Sequence, residues 1–299
     1  MHLDKIYKNL NEQIVAKQYI SQKPVISLEV FPPKNDFEAN SQKLIAELAI
    51  LKQFQPAFVS VTYGAGGSNQ ENSFELALKI KKELDIDVMP HFTCIGASKE
   101  NVKKYLELIK ANKINSILAL RGDIPQNCPD FEFNEDFRYA NDLVEFIKSE
   151  TNLSIGVAGY PECHRECCSL EEDIKNLKKK VDAGASAVIT QVFFDNDYYF
   201  RFVEKAQLEG IDVPIIPGIL PITNINQIER MTAMCGTNIP ESLVNRMKEN
   251  QNDPNAISEL GIEFAIYQCQ QLSDAKVPGI HFYTLNKAFA VKEILENIL

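Results

Sequence analysis

The sequence predicts an α/β fold, a single (β/α)8 TIM barrel, and three observations lead there. Strand-like and helix-like segments alternate almost without exception from Val25 to the last residue. Eight such alternations fit within 299 residues, which suits a barrel better than a doubly wound sheet. Polar residues also recur at the C-terminal ends of the predicted strands, the end at which barrels of this kind build their sites.

The first strand spans about Val25 to Phe31, with Ile26, Leu28 and Val30 alternating against Ser27, Glu29 and Phe31. Pro32-Pro33 removes two ladder donors and stops it. A helix follows from Asp36, with Phe37, Leu44, Ile45, Leu48 and Leu51 on one face. Phe58 to Tyr63 reads as the second strand, followed by the glycine loop Gly64-Ala-Gly-Gly-Ser68 and a helix across Phe74, Leu76, Ile80 and Leu84. Val88 to Cys94 gives the third strand, Val102 to Ile109 its helix, and Ser116 to Leu120 the fourth strand. A loop from Arg121 to about Asp136 leads to a helix around Leu143 to Ile147. Ser154 to Gly159 is the fifth strand, and Ser169-Leu-Glu-Glu172 has the capping-box spacing that opens a helix. Ala187 to Phe193 is the sixth strand, with a helix through Tyr199 to Ala206. Val213 to Ile219 is the seventh, followed by broken helical sequence from Asn226 to Gln271. Its stretch after Ile239 reads as an insertion after the seventh helix. Gly279 to Leu285 is the eighth strand, and a last helix runs from Asn286. An amphipathic helix before the first strand is expected to close the barrel bottom. No composition shift marks a boundary, so residues 1–299 read as one domain.

Composition excludes several function classes. The formal charge is −10, from 31 basic and 41 acidic residues, which opposes a nucleic-acid footprint or an anionic membrane surface. The greasiest run, Val213 to Ile222, contains three prolines and is too short to span a bilayer. The N-terminus lacks the apolar centre of a signal peptide. Seven cysteines without framework spacing read as free thiols, and the chain reads as a cytoplasmic protein.

The strand ends carry the candidate site. Glu29 ends strand one, Thr62 and Tyr63 strand two, and His91 lies on strand three. Arg121-Gly122-Asp123 follows strand four, Tyr160 and His164 follow strand five, and Gln191 is near the end of strand six. His281 and Tyr283 lie on strand eight. A carboxylate in an apolar strand is either a core charge satisfied by a cation, or a proton donor whose pKa desolvation has raised. His91 and His281 are either buried hydrogen-bonders or ligand contacts. The glycine loop after strand two matches neither the dinucleotide fingerprint nor the P-loop, although its amides could still meet a phosphate. On the helix from Ser169, Asp173, Asn176 and Lys180 form a polar line with Lys179 alongside: a solvated face, or a ribose or phosphate contact. Cys163-His164-x-x-Cys167-Cys168 lacks the second Cys/His group that a zinc site needs, and no metal is expected.

Nine segments in order carry a family resemblance. They are Leu28 to Pro33, Phe58 to Gly64, Pro90 to Cys94, Leu120 to Asp123, Tyr160 to Glu162, Lys180 to Ala185, Ile189 to Asp195, Ile216 to Pro221 and His281 to Asn286. With them the chain resembles the methylenetetrahydrofolate reductases, in their short bacterial form. The resemblance implies a barrel that binds FAD without a dinucleotide fold. It implies reduction of 5,10-methylenetetrahydrofolate to 5-methyltetrahydrofolate by NAD(P)H, with NADH expected, by a ping-pong route through the flavin that supplies methyl groups for methionine synthesis. It also implies a homo-oligomer, with a tetramer expected.

Carried over residue by residue, the resemblance makes Glu29 the proton donor to N10. Asp123 lies near the flavin and holds the pterin, and Gln191 contacts folate and nicotinamide in turn. Thr62 matches a nicotinamide-nucleotide contact. Matching FAD contacts are Tyr63, Ala65, His91, Arg121, Gly122, Asp123, Tyr139, Ala140, Tyr160, His164, Asp173, Asn176, Lys179 and Lys180. Gln227 and Lys287 match folate contacts. Lys179 and Lys287 stand where the bacterial enzyme compared has arginine, keeping the charge but not the bidentate fork. Met231 replaces an aromatic that covers ligands. Cys163, Cys167 and Cys168 lie outside the family pattern. No C-terminal regulatory domain of the eukaryotic type is read, so control by S-adenosylmethionine is not expected. Competing readings are another FAD barrel enzyme such as a proline dehydrogenase relative, a non-catalytic folate- or flavin-binding protein, and a zinc methyltransferase.

Overall fold

The computed structural model describes residues 2, 3, 5–7, 23–63, 70–123 and 136–299, with the side chains of residues 229 and 234 excepted. Its strands are β1 (Val25–Val30), β2 (Phe58–Val61), β3 (Val88–Thr93), β4 (Ser116–Leu120), β5 (Ser154–Gly159), β6 (Ala187–Thr190), β7 (Ile215–Ile216), β8 (Gly218–Ile219) and β9 (Gly279–Tyr283). Every pairing is parallel, in the order β7-β6-β5-β4-β3-β2-β1-β9-β8. β7 and β8 are halves of one strand interrupted at Pro217, which has no N–H to give to a ladder. The first half pairs with β6 and the second with β9. One strand thus bridges the two ends of the sheet, and the eight-position barrel closes as expected.

Helices α1 (Phe37–Leu51), α2 (Gln70–Leu84), α3 (Lys99–Ala111), α4 (Ala140–Glu150), α5 (Leu170–Asp182) and α6 (Asn196–Leu208) follow β1 to β6 in turn. After β8 come α7 (Asn226–Cys235), α8 (Glu241–Glu249) and α9 (Pro254–Asp274), and α10 (Phe289–Ile298) follows β9. The structure refines one expectation here. α9 packs between α6 and α10 and fills the seventh place in the outer ring. The added elements are therefore α7 and α8, which come before that ring helix and not after it. Their side chains Met231, Leu243 and Met247 build a separate apolar cluster with Val192, Phe194, Leu220 and Ile222.

Strand alternation sorts the residues into two cores. Leu28, Val30, Val59, Phe92 and Phe282 point outward and meet the helices in the main cluster. Phe58, Met89, Leu118, Ala187, Ile189 and Ile216 form a second cluster with Leu3 and Tyr7. Leu3 and Tyr7 lie in the N-terminal segment expected to close the barrel bottom, and both are fully buried. The rest of that predicted helix, up to residue 20, lies largely outside the described residues. Ser169 caps α5 by accepting from the Glu172 N–H at 3.2 Å, as its spacing indicated.

Candidate active site

Above the apolar bottom cluster the barrel interior turns polar. Glu29 faces inward at the end of β1, opposite Ser60 on β2 and Tyr283 on β9. The Ser60 hydroxyl donates to Glu29 Oε2 at 3.4 Å. His91 Nε2 and His281 Nε2 each lie 3.5 Å from the same oxygen. His281 is completely buried and its Nδ1 meets Ser27 Oγ at 2.8 Å. His91 is also buried, and among the described residues its Nε2 has no partner with hydrogen-bond geometry. Beside them, the Tyr283 hydroxyl donates to the Thr190 carbonyl at 2.7 Å.

The backbone that carries Glu29 is clamped from β9. The Thr284 hydroxyl donates to the Glu29 carbonyl at 2.7 Å. The Asn286 amide accepts from the Phe31 N–H at 3.0 Å and donates to the Phe31 carbonyl at 2.8 Å. One side chain thereby replaces a strand partner where the ladder ends.

The carboxyl's electrostatics bear on the two alternatives that the sequence left open. Burial pushes Glu29 up, but the His281 hydrogen bond, the His91 and His281 charges and the Ser60 hydroxyl outweigh it. The net direction is below the ordinary glutamate value. The strand looked apolar because Leu28 and Val30 face the helices; Glu29 faces serines and imidazoles. Burial drives His91 down to about 4, so it is neutral near pH 7. There the pull on Glu29 comes chiefly from His281 and Ser60.

The other candidates fall into three places. At the β2 end, the Ser73 hydroxyl donates to the Thr62 carbonyl at 2.8 Å. Tyr63 packs its ring on Phe92 at 5.1 Å. Burial pushes its phenol up to about 12. Ala65 and the glycine loop lie outside the described residues. After β4, Arg121 pairs with Glu166 at 2.6 Å, and Asp123 is exposed. Gly122 has φ 87°, and a Cβ there would fall 2.7 Å from Ile95 Cγ2, so the turn requires glycine. Tyr139 caps α4 and is half exposed, with Ala140 at the first helical position.

Around β5 and α5 the candidates do assemble. Lys180 Nζ donates to the Ala158 carbonyl at 2.6 Å and lies 5.9 Å from the Tyr160 ring centre. Burial lowers the lysine to about 8, although Asp173 opposes that shift. Asp173 accepts from the His164 N–H at 2.8 Å, and the His164 ring meets Tyr160 edge-on at 4.6 Å. The Asp173 carboxyl is raised by burial despite that bond and the Lys180 charge. Lys179 Nζ donates to Asn176 Oδ1 at 2.9 Å. Cys163 donates to the His164 carbonyl at 3.5 Å, and burial raises its thiol to about 11.

The folate candidates are dispersed. Gln191 is half-buried after β6, its Oε1 accepting from the Val192 N–H at 2.9 Å. Gln227 is buried and commits its Oε1 to the N–H groups of Thr223 at 2.6 Å and Asn224 at 3.1 Å. Only its NH2 is left to meet a ligand. Lys287 is exposed after β9. Sequence reasoning missed Ser27, Ser60, Thr284 and Asn286 as parts of the site. For Ser27 and Ser60 a signal existed, since both alternate onto the inward face of their strands.

Fold and site together define a (β/α)8 barrel with a carboxyl–imidazole centre at its C-terminal mouth. The family model for methylenetetrahydrofolate reductase matches residues 13–299. The chain belongs to the methylenetetrahydrofolate reductase family. A 5,10-methylenetetrahydrofolate reductase of Pectobacterium carotovorum subsp. carotovorum is 39% identical over 264 residues, covering 88% of this chain and 86% of the relative. One from Buchnera aphidicola (strain Bp) is 37% identical and covers 98% of each chain. Methylenetetrahydrofolate reductase (NADH) 1 of Arabidopsis thaliana is 36% identical over 91% of this chain, which spans 48% of that longer protein. Among solved structures, an uncharacterized Clostridium thermocellum protein that binds two copies of 5-methyl-5,6,7,8-tetrahydrofolic acid superposes with a TM-score of 0.60. It covers 97% of both chains at 14% identity, a likeness that supports the fold. Among the described residues no helix is long and apolar enough to cross a membrane.

Proposed function

We propose that this chain reduces 5,10-methylenetetrahydrofolate to 5-methyltetrahydrofolate with FAD as bound cofactor and NADH as the reductant. The balance is one hydride from NADH and one proton for each folate reduced. When bound, FAD supplies the hydride relay between nicotinamide and folate. The mouth suits such a group: among the described residues the buried His91 Nε2, 3.5 Å from Glu29 Oε2, makes no hydrogen bond, and Lys180, Asp173, Tyr160 and His164 gather at the rim. On this reading those residues, with Tyr63, Ala65, Arg121, Gly122, Tyr139, Ala140, Asn176 and Lys179, hold the cofactor, and Thr62 meets the nicotinamide nucleotide.

The observation that carries the reading is the inward-facing Glu29 carboxyl in a chain of this family. Glu29 holds the proton destined for N10. A ligand bound at the mouth would cover the 17% of the Glu29 side chain still exposed, and would favour its protonated form relative to the free protein. Asp123 sets a negative charge beside the cation that ring opening develops. Gln191 contacts folate and nicotinamide in turn, and Gln227 and Lys287 hold the rest of the folate. The protein acts on this reading as a cytoplasmic homo-oligomer, a tetramer, whose product feeds methionine synthesis.

The purified protein should show flavin absorption bands, bleached by NADH and restored by methylenetetrahydrofolate. Glu29→Gln should leave bleaching within about threefold of wild type and slow restoration by at least ~10²-fold, the usual scale for losing a positioned acid. Rapid mixing of each half-reaction measures both. Equal losses in the two would overturn the role of Glu29, and a protein that takes up no FAD would overturn the function.

A further inference from the structure

Directly beneath Glu29 lies a pair of residues, Ser27 and His281, to which neither the family resemblance nor the proposed reaction assigns a role. His281 is fully buried and Ser27 is its neighbour in the β1–β9 register. Ser27 Oγ meets His281 Nδ1 at 2.8 Å. On its other side, His281 Nε2 is 3.5 Å from Glu29 Oε2 and 3.5 Å from Ser60 Oγ. Phe58 stacks on the ring at 6.1 Å and Tyr283 meets it edge-on at 5.4 Å, fixing its plane.

Proton placement in this chain has one consistent direction. A carboxylate facing Nε2 favours the tautomer with hydrogen on that nitrogen, because a lone pair there would repel it. Nδ1 is then an acceptor, so the Ser27 hydroxyl must donate to it. The Ser60 hydroxyl also donates to Glu29 Oε2. Every hydrogen from Ser27 through His281 and Ser60 is thus directed toward the carboxylate.

We infer that Ser27 and His281 are positioning residues: the Glu29 carboxylate selects hydrogen on His281 Nε2, Ser27 anchors the ring at Nδ1, and the pair orients Glu29 and sets the pH range over which Glu29 carries a proton. The proposal rests on the reductase reading for its kinetic consequence but not for its electrostatic one. The groups facing Glu29 are Ser60 from β2, His91 from β3, and His281 and Tyr283 from β9. Tyr7 reaches Ser27 from below, and burial holds its phenol un-ionised well above the ordinary range. Without Ser27 the buried ring loses its anchor at Nδ1 and can swing its Nε2–H away from Glu29. The carboxylate then loses a donor, and its protonated form persists to higher pH.

Ser27→Ala tests this with two readouts. In protein carrying ¹³C-labelled glutamate, with Glu29→Gln identifying the signal, the Glu29 carboxyl should titrate at higher pH in Ser27→Ala than in wild type. Ser27→Thr, which keeps a hydroxyl on a strand-compatible side chain, should return it toward the wild-type midpoint. In rapid mixing, the alkaline limb of the folate half-reaction should move up by the same interval, about tenfold in rate above the limb for each unit moved. The NADH half-reaction should not move. His281→Gln, which keeps an Nε2-like donor without the ring, should shift the limb less than His281→Leu. An unchanged Glu29 titration in Ser27→Ala would overturn the proposal, as would a limb that moves equally in both half-reactions. If wild-type protein does not reduce the folate, the function fails, while the carboxyl titration still decides the role of the pair.

Discussion

At the scale of single residues, the mouth is governed by competition between burial and polar neighbours, and His91 shows the outcome most plainly. Burial lowers it from the ordinary 6.5 to about 4, more than the nearby Glu29 carboxyl raises it. The unfolded chain therefore takes up a proton near pH 6.5 that the folded protein refuses until about pH 4. Its contribution to stability is fully present above 6.5 and is lost as pH falls through that window, by roughly 3 kcal/mol in all. Unfolding midpoints measured from pH 7 to pH 4.5 on protein freed of cofactor should fall with acid in wild type, and more shallowly in His91→Gln. A parallel decline in the two would mean that His91 is not buried neutral. The slopes are compared over the pH 7 to 5.5 part of the scan, above the range in which the unfolded chain's glutamates, Glu29 included, take up protons. The sequence placed Glu29 and His91 at the right strand ends, because strand period and proline punctuation are local signals. It left the direction of the Glu29 shift open because that depends on Ser60 and His281, brought in from 31 and 252 residues away by closure of the barrel.

At the scale of elements, α9 illustrates a sign that only packing can decide. Gly261 sits inside this 21-residue helix, where glycine usually costs about 1 kcal/mol relative to alanine. Propensity alone predicts that Gly261→Ala stabilises. A Cβ at that position would lie 1.6 Å from the Ile222 carbonyl oxygen, however, and that atom belongs to backbone just after β8. The helix must move away from the barrel, and overpacking of this kind costs about 1–3 kcal/mol or more. Gly261→Ala should lower the thermal midpoint, and a rise would show that the α9–barrel spacing is looser than described. The same contact explains why α9, not α7, occupies the ring: glycine lets it approach the strand-seven backbone closely. Helical periodicity marked one broken helical stretch from Asn226 to Gln271, where the structure has three helices, the last ending at Asp274. It could not rank them, since amphipathic faces on α7 and α8 pack on each other's cluster as readily as a ring helix packs on a sheet.

At the scale of the whole molecule, the barrel separates stability at one end from chemistry at the other. Leu3 and Tyr7 plug the bottom against Phe58, Met89, Leu118 and Ile216, while the carboxyl–imidazole centre lies toward the opposite mouth. Part of this layering was legible from strand alternation, because the inward positions of β2, β3 and the strand-six segment turn from apolar (Phe58, Met89, Ile189) to polar (Ser60, His91, Gln191) toward the C-terminal end. The partners of the plug were not, since its residues precede the first strand and carry no pairing signal of their own. Tyr7→Ala removes a fully buried ring, and truncations of this size cost about 3–5 kcal/mol. For a domain this large that lowers the melting temperature by roughly 5–15 °C. Among the described residues, Tyr7 of the plug is linked to the Glu29 centre through Ser27 and His281. At 25 °C, well below the lowered midpoint, both half-reaction rates of Tyr7→Ala should therefore stay within about twofold of wild type, because stability and catalysis in such barrels draw on opposite faces. Melting curves and rapid mixing on the same preparation decide it. A folate half-reaction that falls while the NADH half-reaction holds would show that the plug reaches Glu29 through Ser27 and His281, and that the two ends are coupled.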